Sequence, residues 1–350
     1  MNPAWDRIIG ADDATRAGLF ATTAMRIGTT PSGVEKDFWV CWTLDALFNG
    51  LAPGGPRLLF KGGTSLSKGF GLIDRFSEDI DITVFRDDLN VNATVEELAA
   101  LSGKKRTARL NVIASACRAY IQGPLRTELT AIVAASTARH GLPADRFRIG
   151  LDGDDDQTLL VWYPPASPVD AYVRPVVKIE AGAKSALDPN TIRTIRPYVD
   201  DDAPGLELAV GNVVTVDPER TFWDKVVILH GLRRWHDKRG ELRGGGQRVS
   251  RHYYDLHRLM ETEVGRRAVS NIALGADCVA HARMFFDRPD YDLASARAPS
   301  FAVLPHDGMV DALRRDYAAM AAMIFGPVPA FELVLGSVAR LDELVNSPAA

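Results

Sequence analysis

Residues 58–84, LLFKGGTSLSKGFGLIDRFSEDIDITV, constrain this chain more than any other stretch. An apolar run, Leu58-Leu59-Phe60, has the length of a buried strand. Lys61-Gly62-Gly63-Thr64 follows, and two glycines without a Cβ let the backbone turn sharply and approach a ligand closely. The pattern predicts a helix from Thr64, as N-cap, through Ser65 to about Ile73, leaving free amides and a positive dipole end at the turn. After Arg75, Phe76, Ser77 and Glu78 the alternation becomes regular. Asp79, Asp81 and Thr83 point to one side of a strand, and Ile80, Ile82 and Val84 to the other. Two carboxylates held side by side repel unless a cation lies between them, and hard oxygen ligands suit magnesium. Turn, helix start and Asp-x-Asp strand together describe a phosphate-and-metal site.

The same residues carry a resemblance. Gly63 and Ser65 followed by Asp79 and Asp81 resemble the signature of the DNA polymerase β-like nucleotidyltransferase superfamily. KGGTSL, RFSEDIDI and the upstream Val34-Glu35-Lys36-Asp37-Phe38-Trp39 are similar to the AbiEii/AbiGii-type nucleotidyltransferase toxins. That resemblance implies Mg²⁺ (or Mn²⁺) at Asp79 and Asp81. It also implies a nucleoside triphosphate held by Lys61, Gly62, Gly63, Thr64 and Ser65.

Composition sets the outer bounds. The 350 residues suffice for two domains, and 46% hydrophobic with 25% charged residues is ordinary for a soluble protein. A net charge of −4 argues against wholesale coating of nucleic acid while leaving room for a local basic patch. Cys41, Cys117 and Cys278 are odd in number and scattered, which points to reduced thiols in a cytoplasm. MNPAWDRIIG lacks a basic region followed by an apolar one, so no signal peptide is expected, and no stretch has the apolar length of a membrane span.

Upstream, residues 1–30 read as short amphipathic helices broken near Gly10 and Gly28. Ser32 and Glu35 form a capping box for a helix starting near Gly33, on which Lys36 and Asp37 read as a surface pair. Residues 92–140 are helical in pattern, interrupted at Gly123-Pro124; the cluster Lys104, Lys105, Arg106 and Arg109 reads as a solvated face. Strands at 146–151 and 157–163 form a hairpin closed by the acidic turn 152–156, which lacks the loop length and terminal Glu of a calcium site.

A strand from Val173 to Glu180 follows, with Val177 and Ile179 on one face and Lys178 and Glu180 on the other. The superfamily places a third carboxylate on a strand beside Asp-x-Asp, and by that resemblance Glu180 is the candidate general base or outer metal ligand. Lys178 is assigned to the nucleotide; Lys184 faces phosphate or solvent. Further strands are expected at 191–199 and 206–216.

Asp217-Pro218-Glu219 is a helix start and marks the expected boundary between a nucleotidyltransferase domain, 1–216, and a helical domain, 217–350. In the helix 218–234, Asp224-Lys225 matches an acidic-Lys pair of the family, which implies that Lys225 faces the triphosphate. Residues 233–251 hold seven Arg and Lys against two acids, a net of +5, around a Gly244-Gly245-Gly246 run that reads as a mobile basic loop. Arg251-His252-Tyr253-Tyr254-Asp255-Leu256 resembles the family's Arg-Asp-x-x-Asp-Leu element, with His252 in place of the first Asp; Asp255 joins the nucleotide-binding set. Residues 263–350 read as a helical bundle with a loop at 287–307.

The expected fold class is α/β (α+β): a polymerase β-like mixed sheet carrying the acids, followed by a helical domain closing a cleft. The resemblance implies a bacterial toxin that transfers NMP from an NTP to an acceptor hydroxyl, with tRNA ends as the acceptor and a cognate antitoxin as partner. Modification of a small molecule or of a protein hydroxyl is the alternative enzyme reading. A non-catalytic nucleotide-binding regulator is the alternative from another class.

Overall fold

A computed structural model describes residues 1–76, 79–168 and 174–347. Ser77, Glu78 and Val173, the expected strand entries, lie outside the described residues. The chain divides into two compact units. The first comprises Met1–Gly69, Phe76–Ala93 and Thr107–Val216; the second comprises Phe70–Arg75, Thr94–Arg106 and the chain from Asp217 onward.

The first unit is built on a seven-stranded mixed sheet: β1 (Leu58–Lys61), β2 (Asp79–Val84), β3 (Arg148–Leu151), β4 (Thr158–Trp162), β5 (Val176–Gly182), β6 (Asn190–Ile195) and β7 (Val210–Val216). Their order across the sheet is β3-β4-β5-β2-β1-β7-β6. β2 pairs antiparallel with β1 and parallel with β5, so the two acid-bearing strands are neighbours. Helices α1 (Trp5–Ile9), α2 (Asp13–Ile27) and α3 (Pro31–Asp45) precede the sheet, and α3 packs on β7, β5 and β2. Phe60, Ile80, Ile82, Val177 and Ile179 are fully buried, which is what period-two alternation requires of one covered face. An aromatic cluster joins α3 to the strands: Trp39 stacks on Tyr163 with centroids 5.3 Å apart and meets Phe147 edge-on.

Several local expectations change. The N-cap of α3 is Thr30, whose hydroxyl accepts from the Gly33 amide, with Pro31 in the first turn. Glu35 is therefore released from capping, and its buried carboxylate accepts the amides of Ala166 and Ser167 at 2.7 and 2.9 Å. Lys36 and Asp37 are buried and form no surface pair. Asp37 lies 2.8 Å from the Lys68 ammonium and accepts the Tyr198 amide at 2.7 Å; a buried charge is tolerable only when paired. Lys68 also sits 3.6 Å from the centroid of the Tyr198 ring.

The helix after the double glycine is short: α4 (Gly62–Thr64) runs into a π-helical turn, Ser65–Gly69, and stops well before Ile73. Gly69-Phe70-Gly71 explains the stop, since two glycines weaken a helix and Gly71 adopts φ +62. Lys61 occupies the N-cap position, and Thr64 donates its hydroxyl to the Asp79 carbonyl at 2.5 Å. Between α6 (Gly103–Tyr120) and α7 (Arg126–His140), which follow α5 (Val95–Ala99), Gly123-Pro124 sits in a π-helical turn that keeps the helices in continuity. The strand expected over 191–199 ends at Ile195, because Pro197 has no amide to donate and a 3₁₀ turn follows at Tyr198–Asp202.

The second unit is helical: α8 (Pro218–Arg239), α9 (Ser250–Met260), α10 (Glu263–Ser270), α11 (Ile272–Phe285), α12 (Asp307–Met320) and α13 (Phe331–Asn346). α8 packs on α9, α10 and α11, and α9 packs on α12 and α13. Trp223 of α8 is buried and donates its indole N–H to the Ala268 carbonyl at 2.8 Å. Gly275 accommodates that indole, since a Cβ there would lie 2.8 Å from its ring carbons. Among the described residues no helix is long and apolar enough to cross a membrane.

Candidate active site

Register places the acids. Asp79 pairs with Lys178 and Asp81 with Glu180 across β2 and β5, while Lys61 pairs with Asp81 across β1 and β2. Paired residues project to the same side of a sheet, so Lys61, Asp79, Asp81, Lys178 and Glu180 share one face, opposite the one that α3 covers. All five are half-buried. The Lys61 ammonium lies 3.8 Å from Asp81 Oδ1.

Gly62 shapes the floor of this face. Its φ is +80, and a Cβ at this position would lie 2.1 Å from Asp81 Oδ2. The residue thus supplies both a left-handed backbone and the space that the Asp81 carboxylate fills. Ser65 closes the turn by donating its hydroxyl to the Gly62 carbonyl at 2.9 Å.

Lys178 is held by two acids, 3.3 Å from Asp152 Oδ2 and 3.4 Å from Glu180 Oε1. Burial pulls its ammonium pKa down, but hydrogen bonds and charge from Asp152 and Glu180 outweigh that and hold it above the usual lysine value. Asp152 begins the acidic turn and is the residue there that sequence reasoning missed. The hairpin register explains its reach: its amide donates to the Thr158 carbonyl at 3.1 Å, and Thr158 stands opposite Glu180. No spacing rule in the sequence carries that neighbourhood.

Lys225 and Asp255 lie in the second unit. The Lys225 ammonium is buried, 2.8 Å from Asp255 Oδ2. Burial and the nearby Arg75 charge push the Lys225 pKa down. Arg75, the second residue missed, donates to both oxygens of Asp255 through Nε and Nη2 at 2.7 and 2.8 Å. In the sequence Arg75 is a lone arginine just before the acid strand, 180 residues from its partner. Despite burial, the two cations hold the Asp255 carboxyl far below the usual carboxylate range. His252 is driven well below its usual pKa, chiefly by burial and then by Lys225 and Arg251, and is neutral.

The expected mobile basic loop is ordered in its first part. α8 continues to Arg239, since Asp237 and Asp290 pair with Arg233 and Arg239, and Lys238 donates to the Pro289 carbonyl. Arg243 donates to the Tyr291 hydroxyl. Lys238, Arg239, Arg243 and Arg248 nevertheless remain exposed.

Asp79 and Asp81 fit a divalent cation. Their hard oxygens are neighbours on one strand face, and the missing Cβ of Gly62 leaves the Asp81 carboxylate its room. Among the described residues no three carboxylate, imidazole or thiol groups form a preformed cluster. Magnesium is commonly held by one or two carboxylates together with substrate phosphates, and such a site needs no third protein ligand.

Comparison with known proteins bears on this arrangement. Among solved structures, MenT4, a nucleotidyltransferase toxin from Mycobacterium tuberculosis H37Rv, has a similar fold at TM-score 0.50 and 16% identity, over 95% of this chain and 90% of that one. No curated protein matches. The mixed sheet with its many helices therefore has the fold of a nucleotidyltransferase toxin. The family described as nucleotidyl transferase AbiEii toxin, of a type IV toxin–antitoxin system, matches residues 45–346. The chain belongs to that family and is a nucleotidyltransferase of the toxin–antitoxin kind.

Proposed function

We propose that the protein transfers a nucleoside monophosphate from an NTP to a hydroxyl of RNA, with tRNA ends as the acceptor. The observation that carries the reading is the in-register placement of Asp79 and Asp81 beside Glu180, next to the Gly62 turn. A divalent cation, Mg²⁺ or Mn²⁺, bound at Asp79 and Asp81 would neutralise phosphate charge. Amides of the turn Gly62-Gly63-Thr64-Ser65 receive the phosphates, and Lys61 and Lys178 offset their charge. Glu180 takes the proton of the attacking hydroxyl as its oxygen bonds to the α-phosphorus; the bond to the leaving oxygen breaks and pyrophosphate departs. Lys225 and Asp255, with Arg75, act through position: their buried charges join α8 and α9 to residue 75.

RNA is favoured by the cations of residues 233–251 that stay exposed. Arg239 pairs with Asp290 at the surface, and a surface pair is weak enough for a phosphate to displace. A cognate antitoxin and a cytoplasmic setting complete the reading; the three cysteines are free and buried, as reduced thiols would be. The test incubates the protein with each labelled NTP, Mg²⁺ and total cellular RNA. Label entering RNA, and lost with Asp81→Asn at unchanged circular dichroism, supports the reading. Label found only in small molecules or protein rejects the RNA acceptor, and no incorporation anywhere rejects transfer.

A further inference from the structure

Lys178 raises a problem for the site just described. It stands directly opposite Asp79 on the neighbouring parallel strand, on the same face. An ammonium in that place competes with a divalent cation for the carboxylate pair, since each neutralises the same charge. Its position is not left to chance. The ammonium lies between Asp152 Oδ2 and Glu180 Oε1, at 3.3 and 3.4 Å, and Asp152 belongs to the hairpin on the side of β5 away from β2.

Asp152 is itself fixed. Its Oδ1 accepts the Asp154 amide at 2.9 Å and its own amide donates to the Thr158 carbonyl at 3.1 Å. One carboxylate oxygen thus closes the hairpin turn while the other holds the lysine. The Asp152 side chain is only 13% exposed although it sits at the tip of a hairpin, whereas Glu180, the second partner, is 42% exposed. The better-anchored acid is the one farther from the metal-binding pair.

We propose that Asp152 is a positioning residue that draws Lys178 away from Asp79 and Asp81, so that a divalent cation entering that pair meets the Lys61 ammonium, 3.8 Å from Asp81 Oδ1, but not Lys178 as a competitor. The inference rests on the reading of Asp79 and Asp81 as metal-binding. It assigns a function to the acidic turn, which otherwise only connects two strands.

The test is Mn²⁺ binding to the full chain, followed by the electron paramagnetic resonance signal of free Mn²⁺, with no nucleotide present. Asp152→Asn keeps an oxygen for the Asp154 amide and removes the charge that holds Lys178. It should weaken Mn²⁺ binding by about tenfold, the lower end of what loss of a supporting group around metal ligands costs. In a Lys178→Met background the competing ammonium is gone, and the same substitution should change affinity by less than about twofold, since coupled sites depart from additivity. An Asp152→Asn protein that binds Mn²⁺ like the wild type overturns the proposal. So does a tenfold loss that persists beside Lys178→Met, because Asp152 would then act through the turn alone. Asp79→Asn separates the two levels: if it leaves Mn²⁺ binding unaltered, the metal reading itself fails and the proposal falls with it.

Discussion

Gly62→Ala isolates the close approach between the turn and the acid strand. The substitution meets two costs. A non-glycine residue at φ +80 is disfavoured by about 1–2 kcal/mol. The new methyl would also lie 2.1 Å from Asp81 Oδ2 and 2.8 Å from its Cγ, so the carboxylate must rotate out of the space it now fills. Leaving a preferred rotamer adds about 1 kcal/mol. The carboxylate ends up displaced by roughly an ångström or more, which is enough to lower turnover about a hundredfold. Gly54→Ala supplies the control, because Gly54 has φ +91 and a methyl group there would find open space, with no atom within 4 Å. Both variants should melt slightly below the wild type, and only Gly62→Ala should lose labelled-NMP transfer. Equal transfer by the two variants would refute the reasoning, since the Asp81 carboxylate would then be indifferent to its neighbour.

Further expectations concern the other charged groups. Glu180→Gln should slow transfer by about a hundredfold or more with little change in NTP affinity, as removal of a general base does; unchanged single-turnover rates would return Glu180 to the solvated sheet face. Asp255→Leu should destabilise the protein by about 3 kcal/mol in chemical denaturation, because it removes the carboxylate that the buried Arg75 and Lys225 charges share. A loss below about 0.5 kcal/mol would mean that these charges are not held by Asp255 in the folded protein. Asp255 binds its proton more weakly when folded than when unfolded, so it adds stability above about pH 3.9 that is lost as the pH falls toward its depressed folded pKa. Asp255→Asn should flatten that acid limb in a circular-dichroism titration, and an identical limb would count against the Arg75–Asp255–Lys225 triad.

The parts of this protein legible in its sequence are those with a period or a local rule. Alternation at Asp79–Val84 and at Val176–Glu180 located both acid strands, and Asp217-Pro218 located the start of α8. What escaped depends on who meets whom after folding. Glu35 matched a capping box three residues after Ser32, yet the Ala166 and Ser167 amides offer a buried carboxylate better satisfaction than an exposed helix end does. Lys36 and Asp37 looked like surface charges because nothing in the helical pattern foretells that Lys68 will arrive at Asp37. Arg75 and Asp152 acquire their meaning only from partners on other elements, Asp255 and Lys178.

The strand order has a consequence for synthesis of the chain. β2 carries Asp79 and Asp81 early, but its neighbour β5 ends only at Gly182, and β7, which flanks β1, ends at Val216. Such non-local pairing cannot begin until both strands exist. A nascent or prematurely terminated product can therefore contain the whole glycine turn and both aspartates while lacking the strand that brings Glu180 beside them. With the proposed roles of Asp79, Asp81 and Glu180, this delays assembly of the site until more than half of the 350 residues have been made.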